Sequence, residues 1–523
     1  MGNGIPPRGG ATNEDHPDEK RTIAAVFQDS WMVLVHLALT IPLSIILNIR
    51  LDEGYTLNTT GAGLRYAWTQ ALRFELQPPL FFALLSLWRR IDSSILFARF
   101  FSVICATLTV LLAIALARRY VPRVQPWIVG VIVAIHPFMI WVAVDIRVYA
   151  FALLLASLLL VLFFDGYLSD EAPGWKRWAY LVVALLALYT QYYLGFLLLA
   201  NALALVFQRR WRPLRSYLWG MLAVGILFLP MLGPLYRQFF VHSKDITQHD
   251  EVWTSLNDFL WIVKGYLIPA ESTKFESVRR WIQMLGLPLL AVFVLLNRKR
   301  ISWRDSGPIW VITLTMLPIF FFLRYRIGYD YFSPRHAAVL FFPSILSFVA
   351  LVYIAGRKWG MWVLLVLAIT ASAVSLVAVY RPWAKRGDWR RAAEYVSSKE
   401  QPGEPILFFS PTGALPFGYY YRGPNQLVPI PRPETFDTYD VERYVIHSET
   451  ELIAQFGSIP GSPVYVWVVT DHFCRLQPVE FNCSLLELFL SRYYVTESDR
   501  EFYGSRVRRL RRIGAGAPAP LPK

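Results

Sequence analysis

The sequence predicts an all-α membrane protein with about eleven transmembrane helices, followed by a small α/β domain outside the membrane. Of its 523 residues, 55% are apolar, 15% are aromatic and only 17% are charged. A soluble protein of this length could not bury so much apolar surface, so the composition indicates a membrane protein. Long apolar segments alternate with short loops, and the chain becomes more polar after about residue 384.

The chain begins with a polar segment, residues 1–30, that is rich in Gly, Pro and acidic residues. This composition predicts a disordered cytoplasmic tail. The uncharged stretch from Trp31 to Asn48 is long enough to span a bilayer and predicts the first helix. Cleavage as a signal peptide is a weaker interpretation, because the stretch is long for that role and no Ala-x-Ala-like site precedes Arg50.

Ten further apolar segments predict the remaining spans of a transmembrane domain at 31–383. They lie at about 97–117, 127–144, 148–165, 178–190, 192–207, 216–235, 283–296, 308–323, 337–355 and 360–380.

Arginine and lysine are concentrated in every second short loop between these segments, as the positive-inside rule requires of cytoplasmic loops. The clusters comprise Arg118, Arg119, Arg123, Lys176, Arg177, Arg209, Arg210, Arg212, Arg215, Arg298, Lys299, Arg300, Arg304, Arg357 and Lys358. This pattern places the N-terminus inside and the C-terminal region outside. The same loops explain the formal charge of +15, so we do not expect a nucleic-acid partner.

The first external loop is predicted at about 50–96 and contains the short apolar segment Pro78–Trp88. That segment is only about half as long as a spanning helix requires, so we expect an interfacial helix. If it crossed the membrane, every later loop would change sides and the basic clusters would lie outside, contrary to the charge pattern.

From about residue 384 the sequence predicts an extracytoplasmic α/β domain, residues 384–505. A helix is expected near Trp389–Ser398, with short buried strands at Pro405–Ser410 and Val464–Val469. The basic and then Ala/Pro-rich end, residues 506–523, predicts a disordered tail.

Two of the three cysteines, Cys474 and Cys483, lie in the predicted exported domain. Because disulfides form in oxidising compartments, the sequence favours a bond between them. The alternative is two free thiols in a reducing compartment, which would conflict with the predicted topology. Cys105 lies in an apolar span and is interpreted as a small core residue.

The predicted outer ends of the spans collect acids, arginines and tyrosines. A carboxylate beside a bilayer-embedded span costs free energy unless it is hydrated, paired or bound to a cation, so such positions suggest function. Guanidinium groups match phosphate oxygens, and a carboxylate can act as a base or bind a divalent cation. The combination suits a site for an anionic lipid headgroup.

Four elements of this outer face resemble the GT-C superfamily of membrane glycosyltransferases. The most similar branch contains the protein O-mannosyltransferases and the aminoarabinose-to-lipid A transferases, and is like glycosyltransferase family 39. The resemblance extends over roughly Leu51 to Ala200 and weakly through Ser333 to Arg335. Its elements are Asp52-Glu53 after the first span, Gln77-Pro78-Pro79-Leu80-Phe81, the acid-x-Arg-x-Tyr set Asp145, Arg147 and Tyr149, and Thr190-Gln191-Tyr192-Tyr193.

The resemblance implies sugar transfer from a polyprenyl-phosphate donor to a lipid, glycan or protein acceptor on the extracytoplasmic face. Asp52 would be the catalytic acid residue, deprotonating the acceptor hydroxyl or amine or positioning it. Glu53 and Glu75 are the other candidate catalytic carboxylates. Asp52 and Glu53 are also the candidate ligands if a divalent cation, Mg or Mn, takes part.

The leaving group would be a lipid phosphate, which needs charge stabilisation rather than protonation. Arg147 and Arg335 are the first candidates for binding this donor phosphate, and Arg324 and Arg326 are further members of the patch. Relatives often carry His or Lys where this chain has Gln77. The candidate residues of the substrate pocket are Gln77, Asp145, Tyr149, Gln191, Tyr192 and His336.

Other interpretations remain open from the sequence. A transporter or flippase of lipid-linked sugars would share the phosphate-binding arginines, and a polymerase or ligase would act on lipid-linked saccharides. At the residue level, Asp52-Glu53 could cap a helix from a solvated loop, and Asp145 with Arg147 could form an ion pair at the end of a span. The expected location is the bacterial inner membrane, with the site and the C-terminal domain outside the cytoplasm.

Overall fold

The computed structural model describes residues 31–170, 173–241, 251–267, 285–300, 306–327, 334–380, 387–437, 440–471, 474–476 and 479–514. Within these residues, a helical membrane domain precedes a small sheet domain, which confirms the predicted fold class. The predicted N-terminal tail, residues 1–30, lies outside the described residues.

The membrane domain starts with one apolar helix and three short helices, which precede the first long one. These five are α1 (Trp31–Ile46), α2 (Leu51–Thr59), α3 (Leu64–Arg73), α4 (Leu80–Trp88) and α5 (Ile95–Tyr120). The domain continues with α6 (Pro126–Ala134), α7 (Pro137–Ala143), α8 (Tyr149–Phe163), α9 (Gly174–Leu188), α10 (Leu194–Phe207), α11 (Trp211–Phe228), α12 (Leu232–Tyr236), α13 (Val252–Leu267), α14 (Leu287–Leu296), α15 (Gly307–Ile327) and α16 (Phe341–Tyr380).

By length and apolar composition, five helices of the described chain could each cross a membrane, or seven if each of two bent pairs forms one span. The number eleven stays a prediction, because other apolar helices, such as the 14-residue α10, are shorter. The 40 residues of α16 contain two predicted spans, and an unbroken helix of that length would measure ~60 Å. Arg357 breaks it with non-helical angles (φ 49°, ψ −136°), in the loop predicted between the two spans.

Two bends place polar residues at the ends of the spans. The axes of α1 and α2 differ in direction by 86°, and those of α6 and α7 by 58°. At the second bend Pro137 starts α7, where its missing N–H is tolerated, and Nδ1 of His136 accepts the N–H of Phe138 at 3.1 Å. The chain therefore kinks at His136-Pro137. The first bend places α2 in the predicted external loop.

The long helix α5 packs closely against α8 and has buried small residues on one of its faces. Ala106, Ala113 and Ala117 recur on one face of α5 and are fully buried. Small side chains let helix backbones approach closely inside a membrane, where packing replaces the hydrophobic effect as the driving force. The hydroxyl of Tyr120 adds a hydrogen bond of 2.8 Å to the carbonyl of Leu160.

The exported domain is built on a five-stranded mixed sheet. Its helices are α17 (Trp389–Ser397), α18 (Ala414–Gly418), α19 (Glu449–Gly457) and α20 (Cys483–Tyr493). Its strands are β1 (Ile406–Phe409), β2 (Leu427–Pro429), β3 (Tyr465–Asp471), β4 (Arg475–Leu476), β5 (Val479–Glu480), β6 (Tyr494–Phe502) and β7 (Ser505–Arg512). The order is β2-β1-β3-β7-β6, with β1 parallel to β2 and β3, and β7 antiparallel to both neighbours; β4 and β5 form a separate hairpin. The helix and both strands predicted here are confirmed.

The prediction that residues 506–523 form a disordered tail is wrong for their first part, because β7 lies inside the sheet. Val507 and Leu510 are fully buried in it. The arginines that gave the segment its basic appearance are paired: Arg508 with Glu487 at 2.6 Å, and Arg509 with Glu404. A charge run can therefore form an inner strand when carboxylates face it across the fold.

The predicted bond between Cys474 and Cys483 is present, with Cα atoms 5.7 Å apart. It encloses the β4–β5 hairpin and joins it to the start of α20. Cys105 is buried in α5, as expected of a core residue.

The exported domain rests directly on α2. The hydroxyl of Tyr420, which follows α18, accepts the N–H of Ile49 at 2.8 Å. Leu415 of α18 lies so close to Gly54 that a Cβ there would be 3.3 Å from its Cδ2. The exported domain thus supports the helix that carries Asp52.

Tyr420→Phe should lower the free energy of unfolding by about 1–3 kcal/mol, because the buried N–H of Ile49 loses its acceptor. Thermal unfolding of the purified protein in detergent measures this change. Tyr419→Phe removes the neighbouring hydroxyl and serves as the matched control. Equal unfolding temperatures for the two variants would show that the contact with α2 contributes no stability.

Candidate active site

Adjacent acids of α2 point to different surroundings because neighbouring positions on a helix are about 100° apart. Asp52, Thr56 and Thr59 share one face, at the spacing of successive turns. Glu53 lies on another face and is fully buried. The Asp-Glu pair therefore divides into two separate interactions.

Glu53 holds the start of α2 in place. One oxygen accepts the N–H of Arg50 at 2.8 Å, and the other accepts the N–H of Ile146 at 3.1 Å. The second oxygen also lies 3.5 Å from the guanidinium of Arg99, which is likewise buried. Because no part of this carboxylate is exposed, we assign Glu53 a positioning role rather than the predicted catalytic one.

Arg99 is a site-supporting residue that the sequence reasoning missed. It lies in the first turns of α5, inside a segment interpreted only as an apolar span. An arginine inside a span is itself a signal of function, since it is costly without partners. Its other hydrogen bonds, at 2.7 to 3.0 Å, go to carbonyl groups at the end of α1, namely Ser44, Leu47 and Asn48.

Asp52 forms an ion pair with Arg335, and the guanidinium of Arg335 also lies 5.8 Å from the ring centre of Tyr149. Both charged side chains remain partly open, with 34% of Asp52 and 26% of Arg335 exposed. Burial alone would raise the pKa of Asp52, but Arg335, Arg147 and Arg50 outweigh it and hold the pKa well below its ordinary value. Asp52 is therefore an accessible, fully ionised carboxylate.

Glu75 and Arg147 form the second ion pair, at 2.7 Å, and both are nearly buried. The same Arg147 nitrogen donates to the hydroxyl of Thr56 at 2.7 Å and to the carbonyl of Asp52 at 3.1 Å. Thr59 donates to the other oxygen of Glu75 at 3.2 Å. Arg147 thus pairs with Glu75 rather than forming the alternative ion pair with Asp145, and it lies beside Asp52.

His336 and Tyr149 complete the cluster, with the histidine Nε2 3.5 Å from the tyrosine hydroxyl. Burial and the positive charges of Arg335 and Arg147 lower the pKa of His336 to about 3, so its imidazole is neutral. Asp145 is buried close by, and its carbonyl accepts the hydroxyl of Ser102 at 2.7 Å. The structure therefore brings residues from four distant parts of the chain together.

The remaining predicted site residues have other contacts. Arg324 is fully buried and bonds Asp258 of α13 at 2.5 Å, whereas Arg326 is exposed near the end of α15. Tyr192 contacts the rings of Phe228 and Phe239. Gln191 is buried beyond the end of α9, and Gln77 is half-buried in front of α4.

The carboxylates do not fit a divalent cation. Asp52 faces Arg335, whereas Glu53 faces Arg99 and two backbone N–H groups, so their oxygens do not converge. Among the described residues, no three His, Cys, Asp or Glu side chains group as metal ligands. We therefore derive no catalytic step through a metal.

The lowered pKa of His336 predicts a loss of stability in acid. Between about pH 6.5 and 3 the unfolded histidine binds a proton and the folded one does not, so the free energy of unfolding falls as the pH falls. The slope contributed by this residue is at most about 1.4 kcal/mol per pH unit. Unfolding midpoints at pH 7.5 and 5.5 measure this effect. Between these two pH values the stability of His336→Gln should decrease less than that of the wild type. An identical decrease in both proteins would contradict a neutral buried His336.

The predicted resemblance to the GT-C superfamily is confirmed by a family profile over part of the sequence and by the fold over most of the chain. Residues 76–234 match the sequence profile of the family described as dolichyl-phosphate-mannose-protein mannosyltransferase. This matched part includes Arg147 and Tyr149 but begins after the acids of α2. No curated protein sequence matches the chain.

Two solved structures of ArnT from Cupriavidus metallidurans are similar over almost the whole chain. The structure bound to undecaprenyl phosphate has a TM-score of 0.57 and 14% sequence identity, covering 94% of this chain and 98% of ArnT. The apo structure has a TM-score of 0.55 and 14% identity, covering 93% of this chain and 98% of ArnT. The similarity includes the exported domain, and at this identity it concerns the fold.

Proposed function

We propose that the protein transfers a hexosyl or pentosyl group from a polyprenyl-phosphate donor to a lipid, glycan or protein acceptor. The observation that carries this proposal is the cluster of Asp52, Glu75, Arg147 and Arg335 in an ArnT-like fold. It combines an exposed carboxylate with two guanidinium groups, as a base and a phosphate site require. The predicted topology puts the cluster on the extracytoplasmic face, and the location we propose is the bacterial inner membrane.

In the proposed reaction, the acceptor oxygen or nitrogen bonds to the anomeric carbon as the bond from that carbon to the phosphate oxygen breaks. Asp52 accepts the acceptor's proton, and the released phosphate keeps the bond electrons as an anion. Arg335, with Arg147 behind it, stabilises this negative charge. Glu75 holds Arg147 through their 2.7 Å ion pair.

Donor binding would also activate the base. In the structure Arg335 is paired with Asp52 and lowers its pKa, which makes the carboxylate a weak base. A donor phosphate competes for the same guanidinium. When Arg335 turns to the phosphate, the pKa of Asp52 rises, so proton transfer becomes easier only in the complex that contains the donor.

The test is transfer of radiolabelled sugar by the purified protein from a panel of polyprenyl-phosphate monosaccharides, with envelope lipid, glycan and protein as acceptors. Transfer that persists with EDTA would support the metal-free reaction. Transfer only from oligosaccharide pyrophosphates would favour a polymerase or ligase. No transfer from either donor class would overturn the proposal in favour of a transporter.

A further inference from the structure

A cavity with basic residues in its lining lies far from the candidate active site. It has a volume of about 490 Å³ and is formed by the loop between α5 and α6, the start of α15 and the break in α16. Of the lining residues that the structure describes, three are basic, two are aromatic and none is a carboxylate. The residues that matter here are Arg123, Arg357, Lys358, Tyr353, Trp359 and Ser306.

Three helices separate this cavity from the candidate active site. The 26 residues of α5 extend ~39 Å from Ile95 to Tyr120. Arg99, which contacts Glu53, lies in the first turns of this helix, and the cavity lies next to its last residue. α15 starts at the cavity, and its last turn contains Arg324, the partner of α13. The first half of α16 starts just after His336 and ends at the cavity. The two sites therefore lie at opposite ends of the membrane domain.

The cavity is positive on one side and apolar on the other. Arg123, Arg357 and Lys358 are exposed at its mouth. Ala350 and Ile354 are buried and form part of its wall. This arrangement matches a phosphate joined to an apolar group.

We propose that the cavity binds the phosphate of an anionic phospholipid headgroup in the cytoplasmic leaflet. Basic pockets between spanning helices at that level are suited to such headgroups. Trp359 is 82% exposed beside the cavity. The ring centres of Trp127 and Trp362 lie 5.8 Å apart. Such aromatic residues are typical of a membrane interface. A soluble phosphate would satisfy the same cations but would leave the apolar wall unused.

A bound headgroup would join the ends of helices that are not adjacent in sequence. The hydroxyl of Ser306, at the start of α15, already bonds the carbonyl of Tyr120 at 2.9 Å at this point. A phosphate shared by Arg123 and Arg357 would add a link between α5 and α16. The lipid would therefore stabilise the inner end of the membrane domain without taking part in sugar transfer.

The test uses the delipidated full chain in detergent and native mass spectrometry to measure affinity for short-chain phosphatidylglycerol and phosphatidylcholine. We expect the wild type to prefer phosphatidylglycerol. Arg357→Gln/Lys358→Gln should lower that affinity about 25-fold, about five-fold (~1 kcal/mol) for each basic residue removed. Arg212→Gln/Arg215→Gln removes two exposed cations from another predicted cytoplasmic loop and should leave it unchanged.

Three results would overturn the proposal. The first is equal affinity for the two lipids. The second is a loss of phosphatidylglycerol affinity in the Arg212/Arg215 control as large as that in the Arg357/Lys358 variant. The third is binding of inorganic phosphate without binding of phosphatidylglycerol. If the double variant does not fold, Arg123→Gln tests the same cavity from a different loop, with a five-fold loss expected. The measurement is independent of glycosyl transfer, so its result does not depend on the proposed function.

Discussion

Replacing Asp52 with asparagine is expected to lower the rate of sugar transfer at least about 100-fold, the effect of removing a general base. Asparagine has nearly the same shape and keeps an oxygen that can accept a hydrogen bond from Arg335, but it cannot take the acceptor's proton. Initial rates of transfer from a radiolabelled polyprenyl-phosphate sugar measure the change. Donor affinity should not weaken, since Arg335 is held less strongly by a neutral amide than by a carboxylate and the phosphate competes for it more easily.

The control for this variant is Asp170→Asn, the same change at a carboxylate whose side chain is 70% exposed in its pair with Arg210. It should retain full activity. Both variants are compared at equal amounts of folded protein, judged by gel filtration. Unchanged transfer by Asp52→Asn would remove Asp52 from the chemistry and leave Glu75 as the remaining candidate base of the cluster.

Glu53→Gln is expected to reduce stability by about 3–5 kcal/mol, because it leaves the charge of Arg99 buried without a counter-charge. The start of α2 would be weakened at the same time, since the carboxylate also accepts the N–H of Arg50 and of Ile146. Thermal unfolding in detergent, followed by tryptophan fluorescence, measures the loss. Activity should fall only in proportion to the amount of folded protein.

The matched control is Glu497→Gln, which breaks a half-exposed ion pair with Arg511. Such surface pairs contribute at most about 1 kcal/mol. A positioning role and a catalytic role for Glu53 predict opposite effects of the Glu53→Gln substitution on stability and on activity. A Glu53→Gln protein that is as stable as the wild type but inactive would show that the carboxylate is catalytic and that the positioning role is wrong.

The sequence was sufficient for features that depend on composition and local pattern. Apolar length located the helices, and the class of fold followed from it. The acids of α2 were found because a carboxylate beside a span is unusual in itself. The disulfide followed from the predicted side of the membrane.

Features that depend on distant partners were not predictable. Asp52 and Glu53 are adjacent in sequence, and only the three-dimensional arrangement shows that one faces Arg335 and the other Arg99. Strand β7 was interpreted as a tail because its arginines dominate its composition, and the carboxylates that pair with Arg508 and Arg509 lie in other elements of the domain. Arg324 has the expected charge, but the sequence did not show that it pairs with Asp258 of α13.

The contact between Ile49 and Tyr420 has a consequence for biosynthesis. The two residues are 371 positions apart, so α2 is synthesised and inserted long before the residue that supports it. We infer that the helix carrying Asp52 reaches its final rigidity only after the C-terminal domain has been exported and folded. A chain truncated before residue 384 should therefore insert into the membrane but show faster hydrogen exchange in α2 than the full chain. Equal exchange rates would contradict this order of maturation.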